Sequence, residues 1–157
     1  MPKAAILTVS DTRTLENDES GNLLQALLES HTDFSAKARR IVKDDVLEIQ
    51  HAFTELALMP EISLILTNGG TGIAQRDVTF QALTPLLTDT IPGFGELFRQ
   101  LSYNDIGTHA MASRAEAGFT VRQQLCFILP GSKKANELAM NQIILPELHH
   151  LFKERTK

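Results

Sequence analysis

Two glycine turns and a small set of carboxylates are the parts of this sequence best equipped for chemistry. Asn68-Gly69-Gly70-Thr71-Gly72 places three glycines in four positions directly after the apolar run Ile62–Leu66. Glycine tolerates positive φ and leaves backbone N–H groups open to close approach, so such a turn entering a helix forms a cradle for phosphate oxygens. Arg76, Asp77 and Thr79 follow at the mouth of the next helical stretch. Pro130-Gly131-Ser132-Lys133 repeats the pattern after the apolar run Leu125–Leu129. Asp44-Asp45 is an acidic pair where a strand gives way to a helix, a reasonable place for a divalent cation beside a phosphate, because Mg²⁺ takes one or two carboxylates plus substrate oxygens. Ser10-Asp11 closes the first apolar run with further polar groups. These residue types suit phosphate chemistry assisted by a metal: amides hold phosphate oxygens, the metal shields them, and a nucleophile already on the substrate attacks in line. No nucleophilic Ser-His-Asp set is evident. The loop is neither a P-loop, which ends in Gly-Lys-Ser or Gly-Lys-Thr, nor a dinucleotide fingerprint, which needs a third glycine after Gly72. Taken alone it is also compatible with an ordinary strand-to-helix turn. Helix capping is the competing account of Asp18, Ser20 and Asp44.

The elements that must position these residues follow from periodicity. Ala4–Val9 is an expected strand. Asn22–Leu28 has helical spacing, with Leu23, Leu24, Leu27 and Leu28 on one face and Ser20 as its cap. Phe34–Val42 is a second strand, and Val46–Leu58 a helix that Asp44 would cap. Ile62–Leu66 reads as a strand buried on both faces, as in a parallel sheet. Val78–Leu87 is a short helix with a kink or early stop at Pro85. Ile91–Glu96 is a proline- and glycine-rich bend before a helix that includes Leu97, Phe98 and Leu101. Phe119–Val121 and Leu125–Leu129 are joined too closely for anything but an antiparallel hairpin. The last helix carries Leu138, Ile143, Ile144, Leu148 and Leu151, with an interruption at Pro146; His149 and His150 near its end are solvated or compensate the helix dipole. The alternation gives one α/β domain, residues 1–157, with a mostly parallel sheet between helical layers. If the first, second, third and last strands are parallel neighbours, all four polar strand ends gather along one edge.

Composition narrows the function further. The 157 residues are 43% hydrophobic and 22% charged, with a formal net charge of −4, and no basic stripe or tail is present, so no nucleic-acid partner is expected. A small phosphorylated ligand needs only local positive charge. The single cysteine, Cys126, lies in an apolar run and is expected to be an inert buried thiol. No apolar run approaches the roughly 18 residues that span a bilayer, and the first residues lead straight into a strand, so the expected location is the cytoplasm, without a membrane partner.

The ordered set of motifs resembles the molybdopterin-binding domain of molybdenum-cofactor biosynthesis, the family of the small bacterial molybdopterin adenylyltransferases. The matching segments are Ile6–Asp11, Asp18–Gly21, Leu66–Gly72, Arg76–Thr79, Pro92–Glu96, Ser113–Ala115 with Ala117-Gly118, and Leu129–Ser132, and they cover nearly the full chain. The Gly-Phe-Gly-Glu-Leu-Phe-Arg and Ser-Arg-Ala-Glu-Ala-Gly segments are closer to the family's protein B branch than to its adenylyltransferase branch. The resemblance implies a three-layer α/β/α fold, assembly as a homotrimer or hexamer, and sites for molybdopterin and Mg-ATP as substrates. In active relatives the terminal phosphate of molybdopterin attacks the α-phosphorus of ATP, giving adenylyl-molybdopterin and pyrophosphate. Carried over by position, Gly69, Gly70, Thr71 and Gly72 match the phosphate cradle, and Asp44 and Asp77 match the catalytic, Mg²⁺-linked aspartates. Ser113 and Arg114 match a pterin-side motif, Pro130, Gly131 and Ser132 the second glycine loop, and Ser10 and Asp11 the polar end of the first strand. A non-catalytic pterin-binding protein and a nucleotide pyrophosphatase sharing the domain are the alternatives. Asn68 departs from the small residue or threonine of many relatives, and Gln75 from a cation in some.

Overall fold

Strand interiors without a polar face dictate the architecture, because a sheet buried on both sides needs a helical layer on each. In the computed structural model, which describes residues 1–157, β1 (Lys3–Val9), β3 (Ile62–Asn68) and β6 (Leu125–Leu129) are such strands. They lie inside a six-stranded sheet of order β2-β1-β3-β6-β5-β4, where β2 is Ser35–Val42, β4 Leu87–Thr90 and β5 Glu116–Thr120. β1 pairs in parallel with β2 and β3, and β3 with β6. β5 is antiparallel to both β6 and β4. The strands expected to be parallel neighbours are therefore contiguous, and the hairpin is antiparallel as the short connection required.

Alternation along β1 sorts the two cores. Ala4 and Ile6 pack with Leu64, Leu66 and Phe127 beneath α1 (Glu19–His31), α4 (Pro92–Ile106), α5 (Lys133–Ala139) and α6 (Leu145–Arg155). Ala5 and Leu7 pack with Ile65 and Ile128 beneath α2 (Val46–Ala57) and α3 (Thr79–Leu83). The result is a three-layer α/β/α arrangement. Cys126 lies in the second core, where burial pushes its thiol pKa up and keeps it unreactive. No helix is long and apolar enough to cross a membrane.

Four local expectations are corrected. α3 stops at Leu83, a 3₁₀ turn carries Pro85, and Leu87–Thr90 continues as β4 rather than as helix. Proline lacks the N–H that a further turn needs, and β5 offers the freed backbone a partner. The Pro92-Gly93 bend is already the first turn of α4, because proline's fixed φ suits that position. Asp18, not Ser20, caps α1, accepting the Gly21 amide. Pro146 does not break the last helix: a π-helical turn, Met140–Ile144, widens the backbone just ahead of it and joins α5 to α6. His150, exposed on that helix, sits between Glu147 and Glu154 at 2.8 and 3.6 Å.

The sheet order creates a topological switch point. From β1 the chain runs outward to β2, then returns to place β3 on the opposite side of β1. Loops leaving β1 and β3 therefore diverge, and open α/β sheets bind ligands in the crevice that this opens at the carboxyl ends of the strands.

Candidate functional site

That crevice is a cleft of ≈ 320 Å³, lined by 18 residues of which one is hydrophobic. Thr8, Val9, Ser10 and Asp11 come from the end of β1, Asp44 from the end of β2, Asn68, Gly69 and Gly70 from the end of β3, and Gly131, Ser132 and Lys133 from the end of β6. Arg76, Asp77, Arg13, Asp18 and Ser20 also line it. Ser10, Asp11, Asp44, Gly69, Gly70, Asp77, Gly131 and Ser132 thus meet as the sequence pattern anticipated. A second, open depression of ≈ 360 Å³ adjoins it and takes Thr71, Gly72, Ser113 and Pro130. Gly70, Asp77 and Gly131 border both, so these three form the saddle between the depressions.

The glycine loop is shaped by what surrounds it. Gly69 and Gly70 have φ of 97° and 72°, where side-chain-bearing residues are strained. A Cβ on Gly69 would lie 2.2 Å from the Val9 carbonyl oxygen, and one on Gly70 2.2 Å from Thr79 Oγ1. The Gly69 amide donates to the Leu129 carbonyl at 3.0 Å, and a Cβ on Gly131 would lie 3.4 Å from the Gly69 Cα, so the two glycine loops touch. Ser20, freed from capping, donates its hydroxyl to the Gly131 carbonyl at 2.8 Å and ties α1 to the second loop. Arg114 braces the far end: its amide donates to the Thr71 carbonyl at 3.0 Å, and its Nη2 to the carbonyls of Gly72 and Asp77 at 2.6 and 3.1 Å. Its guanidinium also lies 5.4 Å from the Phe80 ring centroid. The Arg114 head is thus engaged with the loop backbone, whereas Ser113 stays on the wall of the second depression.

The acidic pair divides its labour. Asp45, not Asp44, caps α2, accepting the Glu48 amide at 2.9 Å. Asp44 is released into the cleft, and its own amide donates to Asp11 Oδ1 at 3.0 Å. Burial, then the nearby charges of Asp11 and Asp77, raise the Asp44 pKa above its ordinary 3.8, with Arg76 opposing them. Asp11 and Asp77 are therefore each close enough to repel Asp44. No three His, Cys, Asp or Glu side chains are arranged to hold a metal by themselves. A carboxylate pair under mutual repulsion, facing a phosphate cradle, fits a hard cation that completes its shell with substrate oxygens.

A raised carboxylate pKa has a sign. The folded protein binds the Asp44 proton more readily than the unfolded chain, so the associated stability is fully present below pH 3.8 and is lost as pH rises through the raised value. Asp44→Asn, uncharged throughout, is expected to be more stable than the parent at pH 7, with the gap closing as the pH falls into the acid range. Urea unfolding of both proteins at pH 7 and pH 4 checks this; a gap that widens on acidification would reverse the assignment.

Several lining residues, Arg13, Thr8 and Asp18 among them, have no site role legible in the sequence. Arg13 stands on a polar loop without periodicity, and Thr8 and Asp18 reach the cleft only through strand register and a helix cap. The type of Asp18, five residues upstream of the first apolar helical pair, signals a cap and nothing more.

The family model described as "Probable molybdopterin binding domain" matches residues 5–150 of this chain. "Molybdenum cofactor biosynthesis protein B" of Staphylococcus carnosus (strain TM300) is 54% identical over 157 residues, covering 99% of this chain and 91% of that protein. A crystal structure of "Molybdenum cofactor biosynthesis protein B" superposes with a TM-score of 0.93 at 47% identity, over 99% of this chain and 97% of the other. The tungsten cofactor synthesizing protein MoaB from Pyrococcus furiosus does so with a TM-score of 0.86 at 34% identity, over 97% and 95%.

Proposed function

Since the chain belongs to the molybdopterin-binding domain family and has a role in molybdenum-cofactor biosynthesis, we propose that it is a Mg²⁺- and ATP-dependent molybdopterin adenylyltransferase. The observation that supports this reading is the convergence of Asp44, Asp77 and both glycine loops on one polar cleft with a second depression across the Gly70–Asp77–Gly131 saddle. The triphosphate occupies the cleft, and the pterin approaches from the side of Thr71, Gly72 and Ser113. Amides of Gly70 and Thr71 and of Gly131 and Ser132 hold phosphate oxygens, Gly69 ties the two loops together through Leu129, and Arg76 and Lys133 balance the phosphate charge. A pterin phosphate oxygen forms the new bond to the α-phosphorus at the saddle, and the bond to the departing pyrophosphate breaks. Asp44 and Asp77 hold Mg²⁺, which when bound neutralises charge on the phosphates. Ser10 and Asp11 line the cleft beside Asp44, and Asp11 fixes the Asp44 backbone. Pro130 shapes the wall of the second depression, and Arg114 keeps Gly72 and Asp77 in register with each other. Residues 1–157 act as a single domain, in the cytoplasm, as a homotrimer or hexamer. Exposed Leu97, Tyr103, Ile106 and Met111 on and after α4 supply apolar surface for that assembly.

A second reading, pterin binding without transfer, draws support from the likeness of the Gly93–Arg99 and Ser113–Gly118 segments to the protein B branch. Purified protein incubated with molybdopterin, ATP and Mg²⁺ separates the two. Pyrophosphate release that requires all three supports the transferase, and tight pterin binding without release supports the second reading. Pyrophosphate formed without pterin would reject both.

A further inference from the structure

Hydrogen-bond polarity along a buried row of side chains fixes one acceptor on the floor of the cleft. Asp18 is 2% exposed and meets only donors. The Gly21 amide reaches Oδ1 at 3.0 Å, while the Arg39 guanidinium at 3.0 Å and the Thr8 hydroxyl at 2.7 Å both reach Oδ2. A carboxylate paired with a guanidinium has no proton to offer, so Thr8 gives its single O–H hydrogen to Asp18. The Thr8 oxygen is then an acceptor toward Asn68, whose Nδ2 donates to it at 2.9 Å. A flipped Asn68 amide would set its carbonyl against an oxygen with no hydrogen left, so the network dictates the orientation. This is the one hydrogen bond of the Asn68 side chain. Asn68 Oδ1 is not among the partnerless polar atoms sealed from solvent, and the solvent that Asn68 borders is the cleft.

A carbonyl oxygen in that place repels phosphate oxygens, which carry no hydrogen at neutral pH. It needs a donor on the ligand. With a single hydrophobic residue in the lining, the cleft has no apolar slot for a purine or pterin ring. In a nucleotide whose phosphates lie in the glycine cradle, the adjacent non-aromatic donors are the sugar hydroxyls. We propose that Asn68 Oδ1 accepts a ribose hydroxyl of the nucleotide and so selects ribonucleotides over deoxy analogues, with Thr8 as the positioning residue that locks the amide. The proposal rests on the reading of the cleft as an ATP site.

Calorimetric titration with Mg²⁺ and ATP, 2′-deoxy-ATP or 3′-deoxy-ATP tests it, on the parent protein and on Asn68→Ala and Thr8→Val. The parent is expected to bind one deoxy analogue about 5- to 160-fold more weakly than ATP, the span of leaving an acceptor without its partner. In both variants that ratio should fall toward one, whatever happens to the absolute affinity. A purely structural defect weakens ATP and its analogues alike and preserves the ratio, so a preserved ratio in the two variants overturns the proposal. Equal binding of ATP and both analogues by the parent also overturns it and leaves the ATP reading intact. Absence of ATP binding removes both.

Discussion

Asp77→Asn is expected to reduce adenylyl transfer by about 100- to 1,000-fold, the usual loss when one electrostatic contact to a reacting phosphate is removed, while the unfolding midpoint stays level or rises. The two halves of this result have separate causes. On the stability side, the Asp77 carboxylate is half-buried and its protein hydrogen bond is a long one, accepting the Ala74 amide at 3.2 Å. An asparagine oxygen can keep that contact. The substitution also removes one of the charges that raise the Asp44 pKa, so repulsion within the cleft falls. For a chain of this length a relief of about 1 kcal/mol moves the midpoint by roughly 2–4 °C. On the functional side, the same repulsion is what makes the carboxylate pair receptive to a cation, so relieving it weakens the site. Residues that destabilise the empty fold and serve the ligand are expected where function is built. Thermal unfolding and pyrophosphate release measured on one preparation check both halves. Near-parental release from Asp77→Asn would remove that carboxylate from the reaction.

The contrast between Asp44 and Asp45 shows where the sequence stopped being readable. An acidic pair at a strand–helix junction was visible in the one-dimensional pattern, as were both glycine turns and the strands that deliver them. Which carboxylate caps α2 depends on the backbone angles at the junction, and the extended conformation of Asp45 gives it the Glu48 amide. β4 went unseen for a related reason. Leu87-Thr88-Asp89-Thr90 is four residues long with three exposed, too short to show a period, and it becomes a strand because β5 lies alongside. The switch point is likewise a property of strand order, which no local signal encodes. Ser20 looked like a cap because serine before an apolar helical face usually is one; its hydroxyl instead reaches Gly131, a partner 111 residues away. Asn68 looked like a departure within a loop. Its part in the buried row depends on Thr8 standing opposite it in the β1–β3 register. Motif chemistry was therefore legible where it lies within one stretch of chain, and hidden where it is made by register or long-range capping.

Gly70→Ala should lose stability and phosphate binding together, and a second substitution should pull the two apart. With φ at 72°, an alanine here carries about 1–2 kcal/mol of left-handed strain. Its Cβ would also stand 2.2 Å from Thr79 Oγ1 and 3.2 Å from Thr79 Cβ, an overpacking term of about 1–3 kcal/mol. The Thr79 hydroxyl is fully buried and has no hydrogen-bond partner, so removing it sacrifices no such bond. In the Gly70→Ala/Thr79→Ala double variant the nearest clash is gone and the backbone strain remains. The double-mutant cycle is expected to show favourable coupling of at least about 1 kcal/mol, as for residues in direct contact. Ligand binding should not return with it. The new Cβ still stands 3.3 Å from Asp44 Oδ1, at the point where the cradle meets the carboxylate. Urea unfolding gives the coupling, and ATP titration in the presence of Mg²⁺ gives the affinity. Recovery of stability with affinity still reduced at least about 10-fold would assign the bare Cα of Gly70 to the ligand as well as to the fold. Recovery of both would assign it to packing against Thr79 alone, and the phosphate would then have to be held elsewhere.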